Sequence, residues 1–210
     1  MFLVAQNGLA RGLGIDWAEL RQAYSTFLRD PAVGIHHIIQ AGRESGWQRW
    51  VEARWCRQAQ DLEGATIQID LQQLAALPPD TLGGAYARHM LQMGFDPDTF
   101  VSQDSQDWIG RRAALAHDVH HVIVGFDASP VGEFGLAAYC LVQFWDLLNV
   151  FVLSFVPITL IGYPRQIFRL MRAISRGFWL GLISKPIMAY PFESNWQTPL
   201  QQVRQELRLV

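Results

Sequence analysis

Cysteine and charge are both scarce in this chain of 210 residues. Its two cysteines, Cys56 and Cys140, lie far apart with no CxxC pair. That argues against a disulfide framework or a cysteine-based zinc site and fits a reducing compartment. Charged residues make up 17% of the chain and the net charge is −2. A general nucleic-acid-binding surface is therefore not expected. Strand signals are sparse as well. The β-like run Ala65-Thr66-Ile67-Gln68-Ile69 has no hairpin partner with turn chemistry. No basic segment precedes Met1-Phe2-Leu3-Val4, and Gln6, Asn7 and Gly8 interrupt that apolar start. A cleaved secretory signal is not expected. No repeat, low-complexity tract or linker divides the sequence.

What is abundant is apolar surface. Half of the residues are hydrophobic, which excludes a disordered chain. A chain this long buries roughly 70% of the surface its unfolded form exposes. Helix punctuation recurs throughout. Asp16 reads as an N-cap before Trp17, Leu20, Tyr24, Phe27 and Leu28, a stripe closed by Pro31. Helices are expected over about 33–40 and 48–60. Asp80 or Thr81 caps one over 82–93, which ends at Gly94 with Pro97 beyond. Asp104 or Ser105 opens another, through Trp108 and Leu115 to Val124, with Gly125 as its stop. Ser129 and Pro130 start an apolar helix expected to reach Pro157 or beyond. Two more follow over 165–184 and 199–209. The economical reading is all-α: one helical bundle over 1–210 with a metal motif on a helical hairpin. The uncharged run 147–164 has the length of a marginal membrane span. Asn149, Ser154 and Pro157 interrupt it, so a buried core helix and a lipid-facing surface remain open readings.

The informative segment is His117-Asp118-Val119-His120-His121, followed after eleven residues by Glu133. On a helix His117 and His121 share a face, with Asp118 beside it. The chain turns at 125–129, and Glu133 stands in the first turn of the next helix, where it can face back. Two imidazoles and two carboxylates converging from two helices suit a divalent metal ion. A capping box does not explain Glu133, because with Ser129 as N-cap the N3 position is Gly132. Scattered polar residues on a solvated face are the competing account. His120 points elsewhere and reads as a surface or core histidine. The zincin motif needs a Glu where Asp118 stands. An HD-type metallophosphohydrolase would need His36, His37 or His89 upstream and Asp146 downstream.

HDVHHVIVGFDASPVGEFGLAAY resembles the signature of the fourth Coq protein of coenzyme Q (ubiquinone) biosynthesis. LPPDTLGGAYARHMLQMGFDPD is similar to that family's upstream stretch, and Trp196, Pro199, Leu200, Val203 and Arg204 to its closing helix. The resemblance covers about 77–206. It implies an all-α fold and a divalent ion at His117, Asp118, His121 and Glu133, with zinc first and magnesium, manganese or iron as alternatives. It implies peripheral attachment to the cytoplasmic face of the inner membrane, polyprenylated lipid intermediates, and other quinone-biosynthesis enzymes as partners. It further implies a link to oxidative decarboxylation of the head-group precursor. A non-catalytic lipid-binding scaffold with a structural metal is the alternative from another class, and the HD-type hydrolase the weakest.

A prenyl tail needs a dry groove. Phe134, Tyr139, Phe144, Phe151 and Phe155 are candidates for one wall, although each also suits a core. Arg165, Arg169, Arg172 and Arg176 are spaced four, three and four along one helix face. They would meet anionic headgroups or a prenyl phosphate, or else form a solvated basic face. The apolar surplus also makes a homodimer an expectation.

Overall fold

Short polar side chains start most of the helices. In the computed structural model, which describes residues 14–65, 67–97 and 108–210, Asp16 caps α1 (Trp17–Thr26) and Asp30 caps α2 (Pro31–Gly42), which carries Pro31 in its first turn. Ser45 caps α3 (Gly46–Gln58), Asp70 caps the short α4 (Leu71–Ala75), and Thr81 caps α5 (Leu82–Met93). Helix α6 (Trp108–Val124) and α7 (Pro130–Phe144) form a hairpin, with Ser129 capping α7 at Gly132. After them come α8 (Leu147–Ser154), α9 (Val156–Gly162), α10 (Ile167–Ile183) and α11 (Leu200–Glu206). No strand occurs among the described residues, so the all-α expectation holds. The expected Asp104 or Ser105 cap lies outside the described residues.

The long apolar helix expected from Ser129 to Pro157 is instead three helices. Trp145 adopts a left-handed conformation at φ 61° and ends α7. Asp146 then accepts from the Asn149 amide and restarts the chain as α8. Pro157 sits in the first turn of α9, where its missing N–H costs nothing. The axis bends by 114° between 147–162 and 164–183. No single helix among the described residues is long and apolar enough to cross a membrane.

Two cores result. The larger gathers α3, α5, α6, α7 and the C-terminal segment around Tyr86, Met90, Ile109, Val119, Ile123 and Tyr139. The smaller joins α1, α2 and α8 to the outer side of α7 and α10 through Ile38, Phe134, Phe151, Phe155 and Leu170. Helices α7 and α10 approach closely because Gly177 faces the Gly135 carbonyl, where a Cβ would collide. The stripe expected on α1 is only half used: Trp17, Tyr24 and Leu28 are exposed, and Ala23 carries the burial. The start of α5 is pinned by the C-terminal segment, through Leu82 N–H to Thr198 O (2.9 Å) and Gly83 N–H to Trp196 O (2.8 Å). The two outer segments that carry the sequence resemblance are therefore neighbours in space.

Candidate metal centre

The centre is built on the inner face of the α6–α7 hairpin. Gly125 turns the chain at φ 77°, and Asp127 accepts from the Ser129 amide (3.1 Å). Glu133 follows one position after Gly132, the residue whose amide Ser129 caps, so its side chain is left free to face α6. His117, Asp118 and His121 each bring one ligand atom within 4.8 Å of the others. Glu133 approaches both rings, with Oε1 3.2 Å from His121 Nε2 and Oε2 3.9 Å from His117 Nε2. The four residues expected from spacing are thus brought together. His121 and Asp118 are buried, while His117 and Glu133 are about two-fifths exposed. One side of the site is open.

The His121 ring has a fixed role. Its Nδ1 lies 3.1 Å from the Phe126 carbonyl oxygen. A carbonyl only accepts, so Nδ1 carries the proton. In the neutral ring Nε2 is then a lone pair, and it faces a carboxylate oxygen. That buried nitrogen makes no well-formed hydrogen bond among the described residues. Two acceptors at this separation need a positive charge between them, a proton or a metal ion. Filled tetrahedral sites with bonds of about 2.1 Å hold their donors about 3.4 Å apart. The His121–Glu133 separation matches, and small side-chain rotations would close the rest.

Charge coupling runs through the cluster. Burial lowers the His121 pKa, but the adjoining Glu133 carboxylate, the Phe126 carbonyl and Asp118 outweigh it and raise the net value. Burial pushes Glu133 up, and His121 and His117 overcome it and hold the carboxyl below its ordinary value. Burial and the field of His121 lower His117. His120 is buried against Phe144 and is lowered further, chiefly by burial. It packs in the core, as one reading of the sequence has it.

Other candidates are placed differently. Phe134, Tyr139, Phe144, Phe151 and Phe155 are all buried in the two cores. Their packing is with other side chains of this protein. Arg165, Arg169, Arg172 and Arg176 are all exposed. Arg176 departs from the expected basic face. It donates to the carbonyls of Val124 (3.0 Å) and Gly125 (3.2 Å) and lies over the Phe126 ring at 4.6 Å. Arg204 donates to Val122 and Ile123 at 3.0 and 2.9 Å. Together they satisfy the last carbonyls of α6, next to the metal motif. Of the residues an HD-type site would need, Asp146 is occupied as the cap of α8 and His37 pairs with Glu19 at 2.7 Å. His89 alone reaches the cluster. Its ring lies 5.6 Å from that of His121. Coming from α5, it stands in the sequence only as a possible upstream histidine of an HD-type site.

Comparison with known proteins places this geometry. The family model described as coenzyme Q (ubiquinone) biosynthesis protein Coq4 matches residues 62–210, which include every residue of the cluster. The mitochondrial COQ4 homologue of Danio rerio, a ubiquinone biosynthesis protein, is 25% identical over 190 residues, spanning 82% of this chain and 68% of the relative. Its Bos taurus counterpart is 25% identical over 187 residues, spanning 82% and 70%. The crystal structure of a Nostoc punctiforme protein assigned to ubiquinone biosynthesis superposes with a TM-score of 0.77. It covers 91% of this chain and 95% of that one at 24% identity, and so supports the fold.

Proposed function

Since the chain belongs to the Coq4 family of coenzyme Q (ubiquinone) biosynthesis proteins, we propose that its α6–α7 hairpin holds a divalent ion and presents it to the head group of a prenylated precursor. The observation that carries this reading is the buried His121 lone pair facing the Glu133 carboxylate. His117, Asp118, His121 and Glu133 would hold the ion, and zinc is the first candidate for two imidazoles and two carboxylates, ahead of manganese, iron or magnesium. When bound, such an ion supplies Lewis acidity toward a ring carboxylate or phenolate. The chain does the rest. Phe126 fixes the His121 tautomer, Arg176 and Arg204 anchor the end of α6, and the open side beside His117 and Glu133 admits the ring. In the catalytic version, the ring–carboxyl bond breaks and carbon dioxide leaves, a water-derived hydroxyl takes its place on the ring, and the two electrons and two protons released pass to dioxygen as co-substrate, giving hydrogen peroxide.

The same proposal puts the protein on a membrane, beside the other enzymes of the pathway. Phe168 is 87% exposed, Ile161 83% and Leu182 74%. With Trp179 and Met171 they make an apolar strip on α9 and α10, beside Arg165, Arg169 and Arg172. Apolar side chains beside arginines suit an anionic lipid surface. Such a strip would also serve a homodimer, which sedimentation without lipid would reveal.

The test is elemental analysis of the purified full chain together with quinone output in cells lacking their own copy of this protein. His121→Ala and Glu133→Gln should lose both metal and quinone while staying folded. A metal-free variant with full quinone output would sink the catalytic reading. The scaffold reading has one supporting fact, that ligands from both helices would let an ion brace the hairpin. It expects quinone output to fall only in step with thermal stability.

A further inference from the structure

His89 stands in the last turns of α5, a helix that neither carries the sequence motif nor belongs to the hairpin. Its ring is nearly parallel to that of His121, with 24° between planes and centroids 5.6 Å apart. The two rings form a stacked pair whose centroids stand wider apart than in direct face-to-face contact. His89 Nε2 is buried and has no hydrogen-bond partner among the described residues. The electrostatic neighbours of the ring are His121, Asp118 and Glu133, the members of the centre itself.

We propose that His89 is a further nitrogen ligand of the metal centre, an inference that rests on the metal reading above. The ring spacing fits. A nitrogen bound at about 2.1 Å puts an imidazole centroid about 3.2 Å from the ion, so two rings at 90–120° have centroids about 4.5–5.5 Å apart. The His117–His121 pair stands at 5.0 Å and the His89–His121 pair at 5.6 Å. The first falls inside that range and the second stands at its upper edge, so the His89 ring would move slightly inward to join the donors of His117, Asp118 and His121. The ordinary alternative is a core histidine. It leaves a buried polar nitrogen unsatisfied, at a cost of about 1–3 kcal/mol that coordination removes. Helix α5 is also well held, through the bonds of Leu82 and Gly83 to the C-terminal segment. The ring is thus carried on a fixed support. A third imidazole makes the donor set richer in nitrogen. It shifts preference toward zinc and iron and away from magnesium, which takes oxygen donors and water.

The test uses the full chain and metal alone. Pulsed electron paramagnetic resonance on the copper(II)-loaded protein counts bound imidazoles, and a chelating dye measures zinc affinity by competition. Wild type should show three imidazoles. His89→Phe should show two and bind zinc at least about tenfold more weakly. His121→Ala should also show two. His89→Gln keeps a polar, similarly long side chain, so it gives the same reading if the Phe variant does not fold. A wild-type count of two, unchanged in His89→Phe, overturns this inference and leaves the metal centre standing. A wild type that takes up neither ion overturns both.

Discussion

Helix α6 carries two buried polar clusters within a few turns of each other, and they are opposites. At its start Arg112 is 2% exposed and fully engaged. Its guanidinium donates to the carbonyls of Met188 (3.1 Å) and Tyr190 (2.6 Å) and to Glu193 Oε1 (2.8 Å), and it lies over the Phe192 ring at 4.8 Å. Toward its end, His117, Asp118 and His121 share their neighbourhood with Glu133 and His89, and two of the ring nitrogens lack good partners. The first cluster is closed and its charges are paired, with only Glu193 Oε2 buried without a hydrogen bond. The second is open to solvent on one side and short of positive charge. Burial of polar groups is common to both, so burial alone does not mark a site. Charge balance and solvent access separate them: the clasp pairs a guanidinium with a carboxylate in the interior, whereas the candidate metal cluster gathers acceptors beside an open face.

The sharpest way to break this comparison is to open the clasp. Arg112→Ala leaves the Glu193 carboxylate and two carbonyls buried without their donor. Removing one partner of a buried pair costs about 3–5 kcal/mol. Urea unfolding should show a loss of that size, with metal content per folded molecule unchanged. A loss below about 1 kcal/mol would make the clasp no more structural than the metal cluster. The converse experiment tests the proposed ion of the open cluster by chelation. At free metal 100 times above Kd, binding to the folded state alone stabilises by about 2.7 kcal/mol. A chelator should therefore lower the Tm of wild type and leave that of His121→Ala where it is. Equal shifts in both would show that the chelator acts elsewhere.

Asp146 tests the rule from a third side, because it is bonded and yet strained by its charge. Burial outweighs its bonds from Asn149 and raises its pKa from 3.8 to about 6. Between those values the folded protein holds a proton that the unfolded chain has lost. The stability this group contributes is present below the unfolded value and is lost as pH rises through the folded one. The loss is at most about 3 kcal/mol. Asp146→Asn keeps an oxygen for the Asn149 amide and removes the charge. Its urea midpoint should change less between about pH 4 and pH 7 than that of wild type. An unchanged slope would show that another group titrates there.

The legible parts of the molecule were those written in local spacing. Caps at Asp16, Thr81 and Ser129, and stops at Gly94 and Gly125, are short-range signals, and the chain obeys them. The convergence of the candidate metal ligands was legible for the same reason, since His117 and His121 lie one turn apart and Glu133 in the first turn past the hairpin. The break at Trp145 was not, whereas Pro157 marked the one at Phe155. Trp145 is held left-handed with its carbonyl accepting from Trp47 Nε1 at 2.8 Å, a contact across 98 residues. The Arg112 clasp and the place of His89 are likewise long-range, made by segments that the sequence keeps far apart. The aromatic residues Phe134, Tyr139, Phe144, Phe151 and Phe155 are buried in the two cores, a placement that their spacing does not specify. An apolar residue on a helix reads alike whether it meets lipid or Leu170, and only packing decides.

The four arginines of 165–176 give the smallest and most specific expectation. Sequence spacing makes them equivalent, and the structure divides them. Arg169 and Arg172 point to solvent beside Phe168 and Met171, whereas Arg176 is spent on the carbonyls that end α6. A basic residue near an anionic membrane contributes about 1 kcal/mol, roughly a fivefold change in partition. Arg172→Gln should weaken sedimentation with anionic vesicles by about that factor and leave the Tm alone. Arg176→Gln should do the reverse. It leaves vesicle binding intact and costs about 1 kcal/mol of stability, as the loss of a helix cap does. If both variants weaken vesicle binding equally, the helix meets lipid as one uniform basic face. The carbonyl contacts of Arg176 would then be too weak to keep it from the membrane.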